Sequence, residues 1–177
     1  NHRKPRSGQG IRSIGFAYGA TLRKMDEDLI TNPNWSQRRQ NRATAFRFLF
    51  QWELNPSDRL HEDLAEFIDR LEHDEDYYTY SFELVDGVLD KIKILDSIIQ
   101  EIVTNWDFSR IAKADLALLR LALYEIKYRL DVPPVVTIDE TLEISKEFSS
   151  ENSKKFLNGI LDKALGQIER PARKPAV

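Results

Sequence analysis

Cysteine is absent from this chain of 177 residues, which excludes disulfides, thiolate metal sites and cysteine catalysis. Histidine is scarce: three occur, and none stands in a metal-binding or catalytic motif. Phosphate-binding glycine loops are missing, and no apolar run approaches the roughly 20 residues that span a bilayer. These absences predict a cytoplasmic protein that is not an enzyme and has no cofactor, no metal and no membrane segment.

The composition is that of an ordinary globular domain, with 41% hydrophobic and 31% charged residues. The net charge of −3 conceals an asymmetry, because residues 1–42 hold nine basic and three acidic residues, a charge of +6. The rest of the chain therefore carries −9. A basic end on an acidic body favours an anionic partner such as nucleic acid, although a solvated, disordered basic head explains the charge equally well.

Hydrophobic residues recur at helical spacing from residue 36 onwards, and no stretch alternates with a period of two. The pattern predicts an all-α fold, a bundle of about seven helices. We expect an N-terminal extension over residues 1–35, a helical domain over 36–170 and a C-terminal tail over 171–177.

The predicted helices begin and end at recognisable signals. Ser36 and Asp58 are candidate N-caps, and Gly87 and Gly159 lie inside helices where neighbours could approach closely. A short strand competes with helix where β-branched residues follow Pro134. The helices are predicted at 36–54, 58–71, 77–89, 92–103, 112–130, 135–148 and about 152–168.

Two basic groups are candidate sites for an anion. Arg38, Arg39 and Arg42 open the first helix, where the helix dipole is already positive, so phosphate is a natural ligand. Salt bridges within the protein are the alternative explanation. At the start of the last helix Lys155 precedes Phe156, whose ring either stacks on a nucleic-acid base or joins the core.

The acidic stretch 58–90 holds twelve carboxylates and two arginines. It lacks the inward-facing Glu-x-x-His pairs of di-iron bundles, and it favours a solvated face that could also steer a basic protein partner.

Three segments together resemble the NusB family of transcription antitermination factors, with order and separations that match from about residue 36 to residue 168. The segments are RRQNR (38–42) with LFQWEL (49–54); DLALLRLALYEI (115–126) with IDETLEISK (138–146); and SKKFLNGILDK (153–163).

This resemblance implies a helical bundle in two packed sub-bundles, which binds the boxA element of nascent ribosomal RNA as single-stranded RNA. The implied partners are the ribosomal protein NusE and the transcription elongation complex. By position, the implied RNA contacts are Arg38, Arg39, Arg42, Asn152, Lys155 and Phe156. The implied partner surface includes Phe50, Leu54 and Asp115.

Two residues depart from the family pattern. Gln40 replaces a common basic residue, and Asn152 replaces a common acid, so repulsion of phosphate is removed there. The sequence leaves open an accessory domain of an RNA methyltransferase system, a purely structural helical protein, and whether the free protein is a monomer or a homodimer.

Overall fold

The structure is a computed structural model that describes residues 32–148 and 150–177. Those residues form seven α-helices, two short 3-10 helices and no β-strand. The prediction of an all-α bundle of about seven helices is therefore confirmed. Most of the predicted N-terminal extension, residues 1–31, lies outside the described residues. The helices are α1 (Gln37–Leu54), α2 (Leu60–Ile68), α3 (Thr79–Asp90), α4 (Ile92–Ile102), α5 (Lys113–Tyr128), α6 (Pro134–Phe148) and α7 (Glu151–Leu165), with 3-10 helices at Glu75–Tyr78 and Phe108–Arg110.

Serine hydroxyls begin both helices that carry the candidate RNA residues. The Ser36 hydroxyl accepts a hydrogen bond from the Arg39 backbone N–H at the start of α1, as predicted. Ser150 caps α7 in the same way. The predicted cap Asp58 is wrong, because the Ser57 hydroxyl binds the Arg59 N–H and α2 begins only at Leu60.

Helix α5 forms the centre of the molecule and contacts α1, α3, α4, α6 and α7. Its apolar side chains are buried around its whole circumference, as its sequence predicted. A first sub-bundle, α1 to α3, packs on the aromatic residues of α1, including Phe48, whose ring centre is 5.7 Å from that of Phe67 in α2. A second sub-bundle consists of α4, α6 and α7 around α5.

The two helical glycines behave differently. A Cβ atom on Gly87 would lie 2.0 Å from the Tyr124 ring, so this glycine permits close packing of α3 on α5, as predicted. The same prediction for Gly159 is wrong, since a Cβ there would meet no atom within 4 Å. Gly159 is exposed and lines an open groove.

The C-terminal residues lie against the connection between α5 and α6. The Val135 N–H donates to the Ala172 carbonyl, and the Ala176 N–H donates to the Leu130 carbonyl. Arg170 also donates to the Leu130 carbonyl. Among the described residues, each helix is too short or too polar to traverse a lipid bilayer.

Candidate nucleic-acid interface

The guanidinium of Arg42 is buried, although the sequence predicted a phosphate contact there. Its side chain is 6% exposed, and its Nε donates to both carboxylate oxygens of Glu125 at 2.9 and 3.1 Å. Glu140 lies 3.6 Å from another of its nitrogen atoms. We therefore reassign Arg42 from the RNA surface to the interface that holds α1 on α5 and α6.

Glu125 is the centre of a buried polar network. Besides Arg42, the Tyr80 and Thr137 hydroxyls donate to its carboxylate. Burial raises the pKa of Tyr80, and the adjacent Glu125 charge raises it further, so the phenol stays protonated and remains a donor. These contacts compensate the carboxylate for the loss of water.

Arg38 and Arg39 lie nearer the surface, and each has a carboxylate partner. Arg38 pairs with Asp131 at 2.8 Å, and its guanidinium carbon lies 3.8 Å from the centre of the Tyr80 ring. Arg39 donates from Nε and Nη2 to the two oxygens of Glu140, both at 2.8 Å. The hydrogen bond to Glu140 raises the pKa of Arg39. Both side chains remain accessible, but a phosphate must compete with these carboxylates.

The start of α7 presents cations without such partners. Lys155 is exposed and forms no ion pair within residues 32–148 and 150–177. Asn152 is exposed, and Phe156 is half-buried, with its ring centre 6.3 Å from that of Trp106. A cation, an amide and an aromatic ring thus lie together at one helix end.

The beginnings of α1 and α7 flank the same acidic side chain of α6. The pKa of Glu143 is lowered, chiefly by a hydrogen bond from Lys146, and further by the charges of Arg39 and Lys154. Arg39 also pairs with Glu140 of the same helix, so the start of α1 lies against α6, whose end is only two residues from the start of α7. Glu140 and Glu143 interrupt the positive charge between the two helix starts.

Helix packing gives a second reason for this proximity. Phe148, the last residue of α6, has its ring centre 5.1 Å from that of Phe46 and 5.4 Å from the Arg47 guanidinium carbon, both in α1. Only two residues then separate α6 from α7. The start of α7 is therefore held beside the middle of α1.

The three residues predicted to contact a partner protein lie in different environments. Phe50 is 0% exposed and stacks on Phe46, so the expectation that it lies on a partner surface is corrected: the ring belongs to the core. Leu54 is half-buried at the end of α1, about 24 Å along the helix from Arg38. Asp115 is buried, with 5% exposure, but it lines a groove with the predicted RNA residues Asn152 and Phe156.

Trp106 is the residue that sequence reasoning missed. Its side chain is 57% exposed, and it lies between α4 and α5 in the segment Thr104–Asn105–Trp106–Asp107, which has no helical periodicity. A large aromatic residue in a polar connection was the available signal, because such a ring is normally placed in a core.

No cluster of potential metal ligands occurs in the described part of the chain.

The model of the NusB family matches residues 39–165. The transcription antitermination protein NusB of Oleidesulfovibrio alaskensis is 40% identical over 145 residues, which cover 77% of this chain and 92% of that protein. That of Nitratidesulfovibrio vulgaris is 36% identical over 153 residues, 84% of this chain and all of the relative.

Solved structures agree with the sequence comparison. The NusB structure of T. maritima aligns with a TM-score of 0.68 at 33% identity, over 75% of this chain and 93% of that one. A chain of a crystal structure of antitermination factors NusB and NusE with double-stranded RNA aligns with a TM-score of 0.65 at 26% identity, over 72% and 95%. The helical fold, the matched segments and these similarities lead to one conclusion: the chain belongs to the NusB family.

Proposed function

We propose that this chain is a transcription antitermination factor, which binds boxA-type single-stranded RNA of nascent ribosomal RNA transcripts together with NusE. The observation that carries the proposal is the exposed Lys155, which forms no ion pair in the described part of the chain and lies beside Asn152 and Phe156 at the start of α7, while Arg39 is held against the preceding helix α6. The similar structure that contains NusB, NusE and RNA supports these partners.

Each RNA-binding residue takes a distinct role in this proposal. Lys155 and Arg39 neutralise phosphates, and Arg38 adds a third contact on the far side of Arg39. Phe156 offers a ring to an unstacked base, and the Asn152 amide can donate to and accept from a base edge. Arg42 positions α1 and does not contact RNA.

The partner surface is proposed at Asp115 and Leu54, without Phe50. Asp115 lies in the wall of the groove at the start of α7, so NusE that contacts Asp115 would lie beside RNA bound in that groove. The protein would then act as an adaptor between RNA, NusE and the elongation complex rather than as an enzyme. Because it acts on nascent transcripts, its place of action would be the cytoplasm.

A salt titration of Lys155→Ala tests the proposal. We expect weaker binding of a boxA-type RNA. The negative slope of log affinity against log salt should become shallower by about 0.7, the value for one single-strand phosphate contact. The matched control is Lys93→Ala in α4, also an exposed lysine without an ion pair in the described residues, which should leave the slope unchanged.

The second part of the test compares RNA sequences. The wild-type chain with NusE should bind boxA-type RNA more tightly than a shuffled RNA of the same length. Equal binding of the two RNAs, or an unchanged salt slope for Lys155→Ala, would contradict the proposal.

A further inference from the structure

Trp106 and Phe156 form an aromatic pair at the surface, in which Trp106 is an addition to the RNA contacts proposed for the start of α7. Their rings are inclined by 44°, and the Trp106 side chain is 57% exposed. A base inserted between two rings needs them parallel, so only the outward faces of this pair can stack on bases. The exposed Trp106 ring and the accessible part of the half-buried Phe156 ring are therefore the surfaces on which bases could stack.

Grooves lie on both sides of this pair. The first, of about 300 Å³, is lined by both rings and by Lys155, Gly159 and Lys163. Gly159 keeps its floor open, since a Cβ there would have no neighbour within 4 Å. The glycine that the sequence suggested for helix packing instead leaves room in this groove.

The second groove, of about 260 Å³, is lined by the same two rings and by Arg110, Asn152 and Asp115. Lys155, Lys163 and Arg110 form no ion pair within the described residues. Cations thus stand on either side of the aromatic pair, and of the residues that the structure describes, the buried Asp115 is the one carboxylate in the linings of these two grooves.

We propose that Trp106 and Phe156 are a stacking platform for unpaired bases, over which a single strand runs from the groove of Lys155 and Lys163 to that of Arg110. Alternating stacking surfaces and free cations match the bases and phosphates of a single strand. This inference rests on the proposed function and extends the RNA path from α7 to the connection between α4 and α5.

Charge favours RNA over a protein as the occupant of these grooves. An apolar protein contact would leave three cations beside it without counter-charges, whereas each phosphate of a strand supplies one. A duplex fits less well, because its bases are already stacked on one another and cannot cover the two rings.

The first experiment measures the affinity of the full chain for a short, unstructured boxA-type RNA by fluorescence anisotropy. We expect Trp106→Ala to weaken binding roughly 5- to 150-fold, the range for loss of one stacked base, and Trp106→Phe to weaken it by less than about 3-fold. The control Ile94→Ala removes an exposed apolar side chain of α4 outside both grooves and should leave the affinity unchanged.

The second experiment observes the indole directly. In the variant Trp35→Phe/Trp52→Phe, Trp106 is the remaining tryptophan of the sequence, and RNA should quench its fluorescence. Lys163→Ala should lower the salt slope by about 0.7 without removing the quenching.

The outcomes separate this inference from the proposed function. If wild-type protein does not bind the RNA at all, the proposed function fails and the platform with it. If wild-type protein binds but Trp106→Ala binds equally well and Trp106 is not quenched, the platform alone is wrong. Loss of NusE binding by Trp106→Ala with RNA binding intact would also overturn the platform and make the grooves a protein site.

Discussion

Helices α1 and α7 both begin at a serine cap with basic residues in the following turns, but they use those residues differently. In α1 each of the three arginines near its start, Arg38, Arg39 and Arg42, is paired with a carboxylate of another element. In α7 no charged side chain forms an ion pair within the described residues. Similar sequence patterns thus have different roles: the arginines of α1 hold that helix to other elements through ion pairs, whereas the lysines of α7 remain accessible.

The difference teaches that a basic cluster at a helix start identifies an anion site only when its partners are known. Glu125 and Glu140 follow their arginine partners by 83 and 101 residues. Burial then distinguishes the role of Arg42, which is enclosed and stabilises helix packing, from that of Arg39, which is partly accessible to RNA. We expect α1 variants to change stability more than RNA binding, and α7 variants to do the reverse.

Arg42→Ala should have the largest effect. It leaves Glu125 buried without its counter-charge, so the free energy of unfolding should fall by about 3–5 kcal/mol, measured by urea denaturation. Arg38→Ala is the matched control in the same helix and should cost about 1 kcal/mol or less, because its ion pair is exposed. Equal losses in the free energy of unfolding for the two variants would show that the Arg42–Glu125 ion pair does not hold α1 on α5.

Glu53→Gln, at the other end of α1, should lower the free energy of unfolding by about 2 kcal/mol at neutral pH, since charged hydrogen bonds from Lys113 and Arg120 are weakened. Burial of the Glu53 carboxyl tends to raise its pKa, but these hydrogen bonds and charges outweigh burial and lower it.

This lowered pKa gives a dependence on pH. The Glu53 contribution is complete above the ordinary pKa of 4.5 and is lost as the pH falls through the lower value in the folded protein. Urea midpoints measured from pH 7 to acid should fall less steeply for Glu53→Gln than for wild type. Glu101→Gln, at an exposed residue of α4 outside the ion pairs of the described chain, should keep the wild-type slope. Parallel curves for wild type and Glu53→Gln would contradict this assignment.

Glu140→Gln should have the smallest effect and should act on RNA binding. Loss of the carboxylate charge leaves Arg39 more available to phosphate, so affinity should rise roughly 2- to 5-fold at low salt. The control Asp139→Asn makes the same change of charge at an exposed neighbour and should have less effect. Weaker binding by Glu140→Gln would mean that Glu140 orients Arg39 for RNA instead of competing for it.

The fold was largely predictable from local signals. Ser36 and the residues after it predicted the start of α1, and the continuous apolar run of α5 predicted its central position. The candidate site was only partly predictable. Arg39, Lys155 and Phe156 came from the basic groups at two helix starts and Asn152 from the family resemblance, whereas the buried Phe50 was misplaced by that resemblance, because its pattern is equally compatible with a core and with an interface.

The sequence by itself determined the helices, the Ser36 cap, the apolar centre and the family, because these depend on residues that are neighbours or helical repeats along the chain. Tertiary structure alone decided that the buried Arg42 holds α1 on α5 through Glu125. It also decided that Trp106 is exposed beside Phe156 and that Gly159 leaves a groove open. The physical reason is that burial and charge pairing depend on side chains distant in sequence, which local patterns do not specify.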